Sequence, residues 1–405
     1  MDERSDGERL KEQACDLVDE MAPELVAASH SIHAQPELMF EERHAHAVLA
    51  GLLESAGLPV TRHAHGLETA FRCDVGEGSG PVVAVCCEYD ALPDIGHACG
   101  HNIIGAAGVG AGVAAARLAA SVEGRVRILG TPAEEGGNGK GLLAEQGAFD
   151  GVDAAMMIHP GDRDLRAMTT LAASVVVATY HGRAAHAAAS PWHGRNALDA
   201  AVLGYTNVSA LRQQLAPDQR IHGTFVEVPE RSNIVPERVV ARWAARGRTV
   251  ASAIDARDRL LACLEAGAAA AGCRIELEVS PLGSQVLDCD PIVDCFVDNA
   301  ARLGRVVADP VVAGDLHGST DMGRISRRMP SIHPVLQAAP PGVGIHERAF
   351  AESAGSALGD KAVVDGAKAM AMTIVDLWLD PTLVDRARDC YLLMCQEDPL
   401  PAGSD

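Results

Sequence analysis

Aromatic side chains are scarce: six Phe, four Tyr and three Trp make up only 3 % of the 405 residues. A core with so few rings must be built from Ala, Val, Leu and Ile. Basic clusters are missing as well. Lys and Arg number 34 against 55 Asp and Glu, for a formal net charge of -21, and the lack of any Lys/Arg run argues against nucleic acid as a partner. Acidity of this size keeps a protein soluble and is compatible with a cationic substrate. The polar start, Met1 to Asp6, lacks the apolar segment of a signal peptide, so export is not expected. The most apolar stretch, 103–116, is too short and too rich in Gly and Ala for a membrane span, and is expected to be a buried helix. The eleven Cys are odd in number and irregularly spaced, which argues against a disulfide framework and for buried thiols in a reducing, cytoplasmic setting.

A chain of this length is expected to form two domains, because single cores rarely grow past about 250–300 residues. Helical spacing of apolar residues predicts helices over 8–29 and 41–56. Apolar runs at 82–87 and 154–158, and one at 126–129 interrupted only by Arg127, predict strands buried on both faces of a sheet. Helix signals return at 291–303 and 353–377, so the first and last thirds are expected to share one α/β domain, 1–172 with 282–405. Between them the order strand 173–180, helix 195–214, strands 221–228 and 239–246, helix 251–271 and strand 274–279 is the β-α-β-β-α-β pattern of a ferredoxin-like α+β domain inserted at 173–281. The tail 399–405 is expected to fray.

Three of the expected strands run into polar groups. Glu88 and Asp90 follow the first, Glu134 and Glu135 the second, and His159 the third. Functional groups of open α/β sheets gather at the carboxyl ends of strands, so these residues are candidates to converge. Between the first two strands lies His97-Ala98-Cys99-Gly100-His101, which offers a thiol and an imidazole from one loop; zinc accepts thiolate, imidazole and carboxylate. Adjacent carboxylates at Glu134 and Glu135 can divide two tasks, one binding metal and the other moving protons. His159 and His346 complete the donor set only in company with the others. Phosphate-loop, dinucleotide and serine-nucleophile motifs all fail: Gly136 to Lys140 is followed by Gly141 instead of Ser or Thr, 108–112 has the wrong glycine spacing, and no Gly-x-Ser-x-Gly is present.

Several segments in order resemble one family over nearly the whole chain. They are His33-Ala34-Gln35-Pro36-Glu37-Leu38, Glu88-Tyr89-Asp90-Ala91-Leu92-Pro93, His97-Ala98-Cys99-Gly100-His101-Asn102 and Thr131-Pro132-Ala133-Glu134-Glu135-Gly136. They continue with Gly182-Arg183-Ala184-Ala185-His186-Ala187, Asn233-Ile234-Val235-Pro236 and Gly318-Ser319-Thr320-Asp321. The chain thereby resembles the dinuclear metallopeptidases and amidohydrolases that include aminoacylase, carboxypeptidase G and hippurate hydrolase. Within them it is most similar to the branch of Xaa-Arg (β-alanyl-lysine) dipeptidases and p-aminobenzoyl-glutamate hydrolases.

The resemblance implies a zinc-peptidase-like catalytic domain with a mixed sheet between helices, and an inserted domain that serves as a lid and dimerises the protein. It implies two divalent metal ions held by Cys99, His101, Glu135, His159 and His346, with Glu134 as general base and acid. It also implies that His186 steadies the oxyanion, often in the partner subunit's site, and that Asn233 and Arg246 contact substrate. The thiolate makes zinc the expected metal, with manganese or cobalt as alternatives. A small amide or dipeptide is the expected substrate, and neither nucleic acid nor membrane is an expected partner. Two departures bear on specificity. Relatives carry a glycine pair where this chain has Val228-Pro229-Glu230-Arg231-Ser232, and Asn-His-Thr where it has Ile345-His346-Glu347. The alternatives are a deaminase of aromatic amines on the same metals and, further off, a binding protein that has lost the chemistry.

Overall fold

The computed structural model describes residues 3–310 and 318–400, so most of the tail expected to fray lies outside the described residues. The chain divides into two compact units, 1–169 with 286–394, and 170–285 with the residues from 395 onward.

The first unit is built on a six-stranded mixed sheet, in the order β1 (Val60–Arg62), β2 (Phe71–Val75), β4 (Arg125–Gly130), β3 (Val82–Cys87), β5 (Ala154–Met156) and β11 (Ser331–Ile332). Strands β4, β3, β5 and β11 run parallel, while β1 and β2 form an antiparallel edge. All six residues of β3 are buried, as a strand covered on both faces requires. Val83, Val85 and Cys87 face one apolar cluster, which contains α1 (Glu3–Ala34), α3 (His101–Ala119) and α10 (Ala357–Leu379). Ala84 and Cys86 face the other, with Leu143, Phe149, Met322 and Ile325. This alternation is the two-residue period of a strand.

The expected apolar helix is α3, at 19 residues longer than the sequence pattern indicated, and long and apolar enough to cross a membrane. Every residue of it except Arg117 is buried inside the unit, which identifies a core helix. Its small residues allow close packing: a Cβ at Gly110 would lie 2.6 Å from Leu25 Cδ1 and 3.0 Å from Ala367 Cβ.

Two readings need correction. The single strand expected at 154–158 is split, because the chain leaves β5 at Met156 and re-enters extended structure as β6 (His159–Gly161), which pairs with β12 (Val335–Gln337) in a separate two-stranded sheet. The helix expected over 353–377 begins at Ala357 behind a short helix, α9 (Arg348–Ala354), and a further helix, α11 (Pro381–Glu397), follows it. The split matters because His159 opens β6 and does not close β5.

In the second unit the strands β7 (Ala172–His181), β8 (Arg220–Glu227), β9 (Arg238–Gly247) and β10 (Arg274–Val279) form an antiparallel sheet in the order β10-β7-β9-β8. Helices α5 (Ala197–Leu211) and α6 (Val250–Ala270) supply the core partners, with Val176, Ala178, Tyr180 and Trp243 from the sheet. Both helices are capped as their sequences suggest: Asn196 accepts from Leu198 and Asp199, and Thr249 accepts from Ser252. The β-α-β-β-α-β order is therefore present.

Gly110→Leu should destabilise the first unit by about 1–3 kcal/mol through overpacking of α3, read as a lower urea midpoint. An unchanged midpoint would show that α3 does not pack against α1 and α10 as described.

Candidate metal centre

The centre begins where β3 ends. Glu88 and Asp90 are both buried, and Asp90 holds two other residues at once. Its Oδ1 accepts from His101 Nδ1 at 2.9 Å, and its Oδ2 accepts from the backbone N–H of Glu135 at 2.9 Å. His101 is the first residue of α3, and Gly100 before it lies at φ 78. A Cβ there would meet Pro160 Cγ at 2.5 Å, so the left-handed turn and the tight approach both call for glycine. With Nδ1 engaged, His101 turns Nε2 toward three carboxylates: 3.5 Å from Glu88 Oε2, 3.9 Å from Glu134 Oε2 and 3.9 Å from Glu135 Oε1.

Cys99 joins this histidine in one cluster of donor atoms. Its Sγ is 3.5 Å from His159 Nε2, and the Nδ1–H of His159 donates to the Pro160 carbonyl at 2.7 Å, which directs the Nε2 lone pair to the centre. His346 is the most exposed member. Its backbone N–H donates to the Ala98 carbonyl at 2.8 Å, its φ is 68, and its Nε2 lies 3.5 Å from Glu135 Oε1.

The donor atoms fall into overlapping sets, each within 4.8 Å: Cys99, His101 and His159; Cys99, Glu135 and His346; His101, Glu134 and Glu135; and Glu88, Glu134 and Asp321. The five residues expected as ligands thus come together, and Cys99 belongs to two of the sets. Glu88 Oε2, His101 Nε2 and Glu135 Oε1 are buried and make no hydrogen bond. Orphaned donors and acceptors converging in this way, from soft and hard ligand types, fit divalent cations.

The electrostatics separate the two adjacent glutamates. Burial, with the charges of Glu88 and Asp321, holds the Glu134 carboxyl well above the usual carboxylate range. Burial also opposes the charge on Glu135, but the nearby imidazoles of His346 and His101 outweigh it, and its pKa lies below the ordinary value. Burial pushes the Cys99 thiol far up, so a cation must displace a proton there.

Beneath the centre lies a group that sequence reasoning missed. Lys140, read only as part of a failed phosphate loop, is fully buried; its Nζ donates to Glu88 Oε1 and, at 2.6 Å, to Asp321 Oδ1. The only sequence signal was that Asp321 lies in one of the family segments.

The other expected site residues belong to the second unit. His186 and Asn233 lie on neighbouring segments, joined by the Ala187 N–H to the Asn233 carbonyl at 3.0 Å. His186 Nδ1 accepts from the N–H groups of Ala188 and Ala189 at 3.2 and 3.1 Å, which places the proton of the neutral ring on Nε2. Arg246 is half-buried on β9, opposite Ala173 and Arg220, and not on that pair of segments.

Clustered nitrogen, sulfur and carboxylate donors at the carboxyl edge of an α/β sheet, with one protonatable carboxyl among them, define a metal centre suited to hydrolysis. Residues 84–375 match the profile of Peptidase family M20/M25/M40, and the chain belongs to that family. It is 37% identical to the Xaa-Arg dipeptidase of Mus musculus across 97% of this chain and 94% of that protein. To a p-aminobenzoyl-glutamate hydrolase chain of Escherichia coli (strain K12) it is 28% identical, across 90% and 91%. Among solved structures, a dinuclear metal-binding peptidase of Bacillus subtilis superposes with a TM-score of 0.69 at 20% identity, covering 88% of this chain and 98% of that one, which supports the fold. The protein is therefore a hydrolase.

Asp90→Asn would put an amide NH2 against one of two donors. Zinc affinity should then fall by about 10–100-fold, measured by chelator competition; wild-type affinity would mean that Asp90 does not orient the ligands. Because the Cys99 proton must leave, zinc affinity should rise with pH by about tenfold per unit for each proton displaced. A pH-independent affinity would exclude Cys99 as a ligand.

Proposed function

We propose that the chain hydrolyses the amide bond of a small dipeptide or N-acyl amino acid, with Cys99, His101, Glu135, His159 and His346 as ligands of two divalent cations. The carrying observation is the convergence of these donors in overlapping sets, each within 4.8 Å, with the Glu134 carboxylate among them. Divalent cations held here would supply the Lewis acidity that ionises water near neutral pH and polarises an amide carbonyl. Glu134 accepts the proton of the attacking water as the new C–O bond forms, and returns it to the nitrogen as the C–N bond breaks. Asp90 keeps His101 and the Glu135 backbone in place throughout. The Nε2–H of His186 is the donor proposed for the oxyanion, a role its tautomer supports.

Zinc is the proposed metal, on the strength of the thiolate, with manganese and cobalt as the alternatives to compare. A cationic amine side, as in an Xaa-Arg dipeptide, is the proposed substrate class. The name of the mouse relative supports it, as do the net charge of -21 and a cavity of about 370 Å³ lined by Glu230 and Glu237 beside Arg231. Asn233 and Arg246 are the proposed substrate contacts in the second unit, the proposed lid. Self-association through that unit is supported by the edge strand β8 and by exposed Val202, Leu203, Tyr205 and Val226. Eleven free cysteines support a reducing, cytoplasmic compartment. Deamination of an aromatic amine is the second reading, which the altered segment 228–232 leaves open.

A panel of Xaa-Arg dipeptides, β-alanyl-lysine, p-aminobenzoyl-glutamate and N-acyl amino acids, assayed for released amino acid and for ammonia, separates the two. Ammonia without amino acid would support the deaminase. In Glu134→Gln, metal content should match wild type while kcat falls by at least about a hundredfold; near-normal turnover would remove Glu134 from the mechanism.

A further inference from the structure

The four parallel strands of the first sheet lie in the order β4-β3-β5-β11. Three of them lead toward the metal centre: β4 to Glu134 and Glu135, β3 to Glu88 and Asp90, and β5, two residues past its end, to His159 at the start of β6. The fourth, β11, ends at Ile332, and the next residue is His333. It pairs in parallel with β5, so the two strands release their following segments at the same edge.

His333 is fully buried, and among the described residues neither ring nitrogen has a hydrogen-bond partner. Its ring meets that of His159 edge to face, with centroids 5.4 Å apart and planes at 66°. The backbone is fixed independently of the ring: the His333 N–H donates to Asp288 Oδ1 at 2.7 Å, and its carbonyl accepts from Met168 N–H at 3.2 Å. No described residue therefore uses the polarity of the imidazole. A phenyl ring would fill similar space and leave no buried nitrogen unsatisfied, so retaining histidine costs stability. A neutral imidazole has one N–H and one lone pair to offer.

We infer that His333 is a substrate-orienting residue of the reaction centre, whose ring N–H donates to a carbonyl or carboxylate oxygen of the bound amide on the His159 side. The inference rests on the hydrolase reading above and adds a residue outside the expected ligand and acid/base set. Polar groups kept at a cost to the fold concentrate where ligands bind, and this one stands at the same sheet edge as the rest of the centre.

The test compares zinc-reconstituted full-length wild type with His333→Phe, which keeps a planar ring, and His333→Gln, which restores a donor. Thermal melting, metal content, kcat and KM are measured with β-alanyl-lysine and an Xaa-Arg dipeptide. The Phe variant should keep its metals, melt at or above the wild-type temperature, and lose at least about tenfold in kcat/KM, mainly through KM, with Gln recovering part of the loss. A Phe variant with unchanged kcat/KM overturns the inference, and so does one that melts lower and loses metal, since either assigns His333 to the fold. If wild type cleaves neither amide, the hydrolase reading has failed separately. His333 is then judged by melting and metal content: a stable, metal-replete Phe variant supports a role outside the fold, and a destabilised one overturns it.

Discussion

One buried carboxylate ties the centre together. Asp90 is removed from water at the end of β3, and a buried charge is tolerated only when its oxygens are engaged. It meets that demand by accepting from His101 and from the backbone of Glu135, two groups on different segments. A single interaction thus fixes the start of α3 and the turn after β4. It also decides which nitrogen His101 shows: with Nδ1 engaged, only Nε2 is left to offer. The glycine at 100 and the small residues along α3 serve the same end, because they let the helix seat its first residue against the sheet edge.

Around that anchor the structure accumulates polarity that a fold built for stability would avoid. Glu88, Lys140 and Asp321 form a buried charged group, and burying charges costs several kcal/mol per ion unless the pairing is nearly complete. Their pairing leaves Glu88 Oε2 open, as His101 Nε2 and Glu135 Oε1 are open. These atoms converge, which is how a binding site differs from scattered packing defects. The same surroundings set the two adjacent glutamates apart: the carboxylates of Glu88 and Asp321 work against the charge on Glu134, whereas His346 stabilises it on Glu135.

Much of this was legible in the sequence. A fully apolar run announced β3, because a strand covered on both faces has no polar side, a largely apolar run broken by Arg127 announced β4, and the polar residues after them marked the functional edge. The Cys99–His101 spacing and the Glu134–Glu135 pair pointed to metal and proton chemistry because few other tasks need those residue types so close together. Less legible were residues whose role depends on a distant partner. Lys140 looked like part of a glycine-rich loop, since nothing local reveals that Asp321, far along the chain, waits for its ammonium group. The break after Met156 escaped notice because an apolar run looks the same whether it stays in one sheet or passes to another.

The sequence by itself determined the α/β class, the β-α-β-β-α-β order of the second unit, and the donor types at the centre. These follow from local periodicity and from the intrinsic chemistry of side chains, which no neighbour can change. Only the tertiary structure decided which donor atoms face one another, which are left without partners, that Asp90 orients two of them, and that His333 emerges beside His159. Those properties arise from strand order and register, which bring together residues tens to hundreds of positions apart, and from burial, which turns an ordinary polar side chain into one that must find a partner.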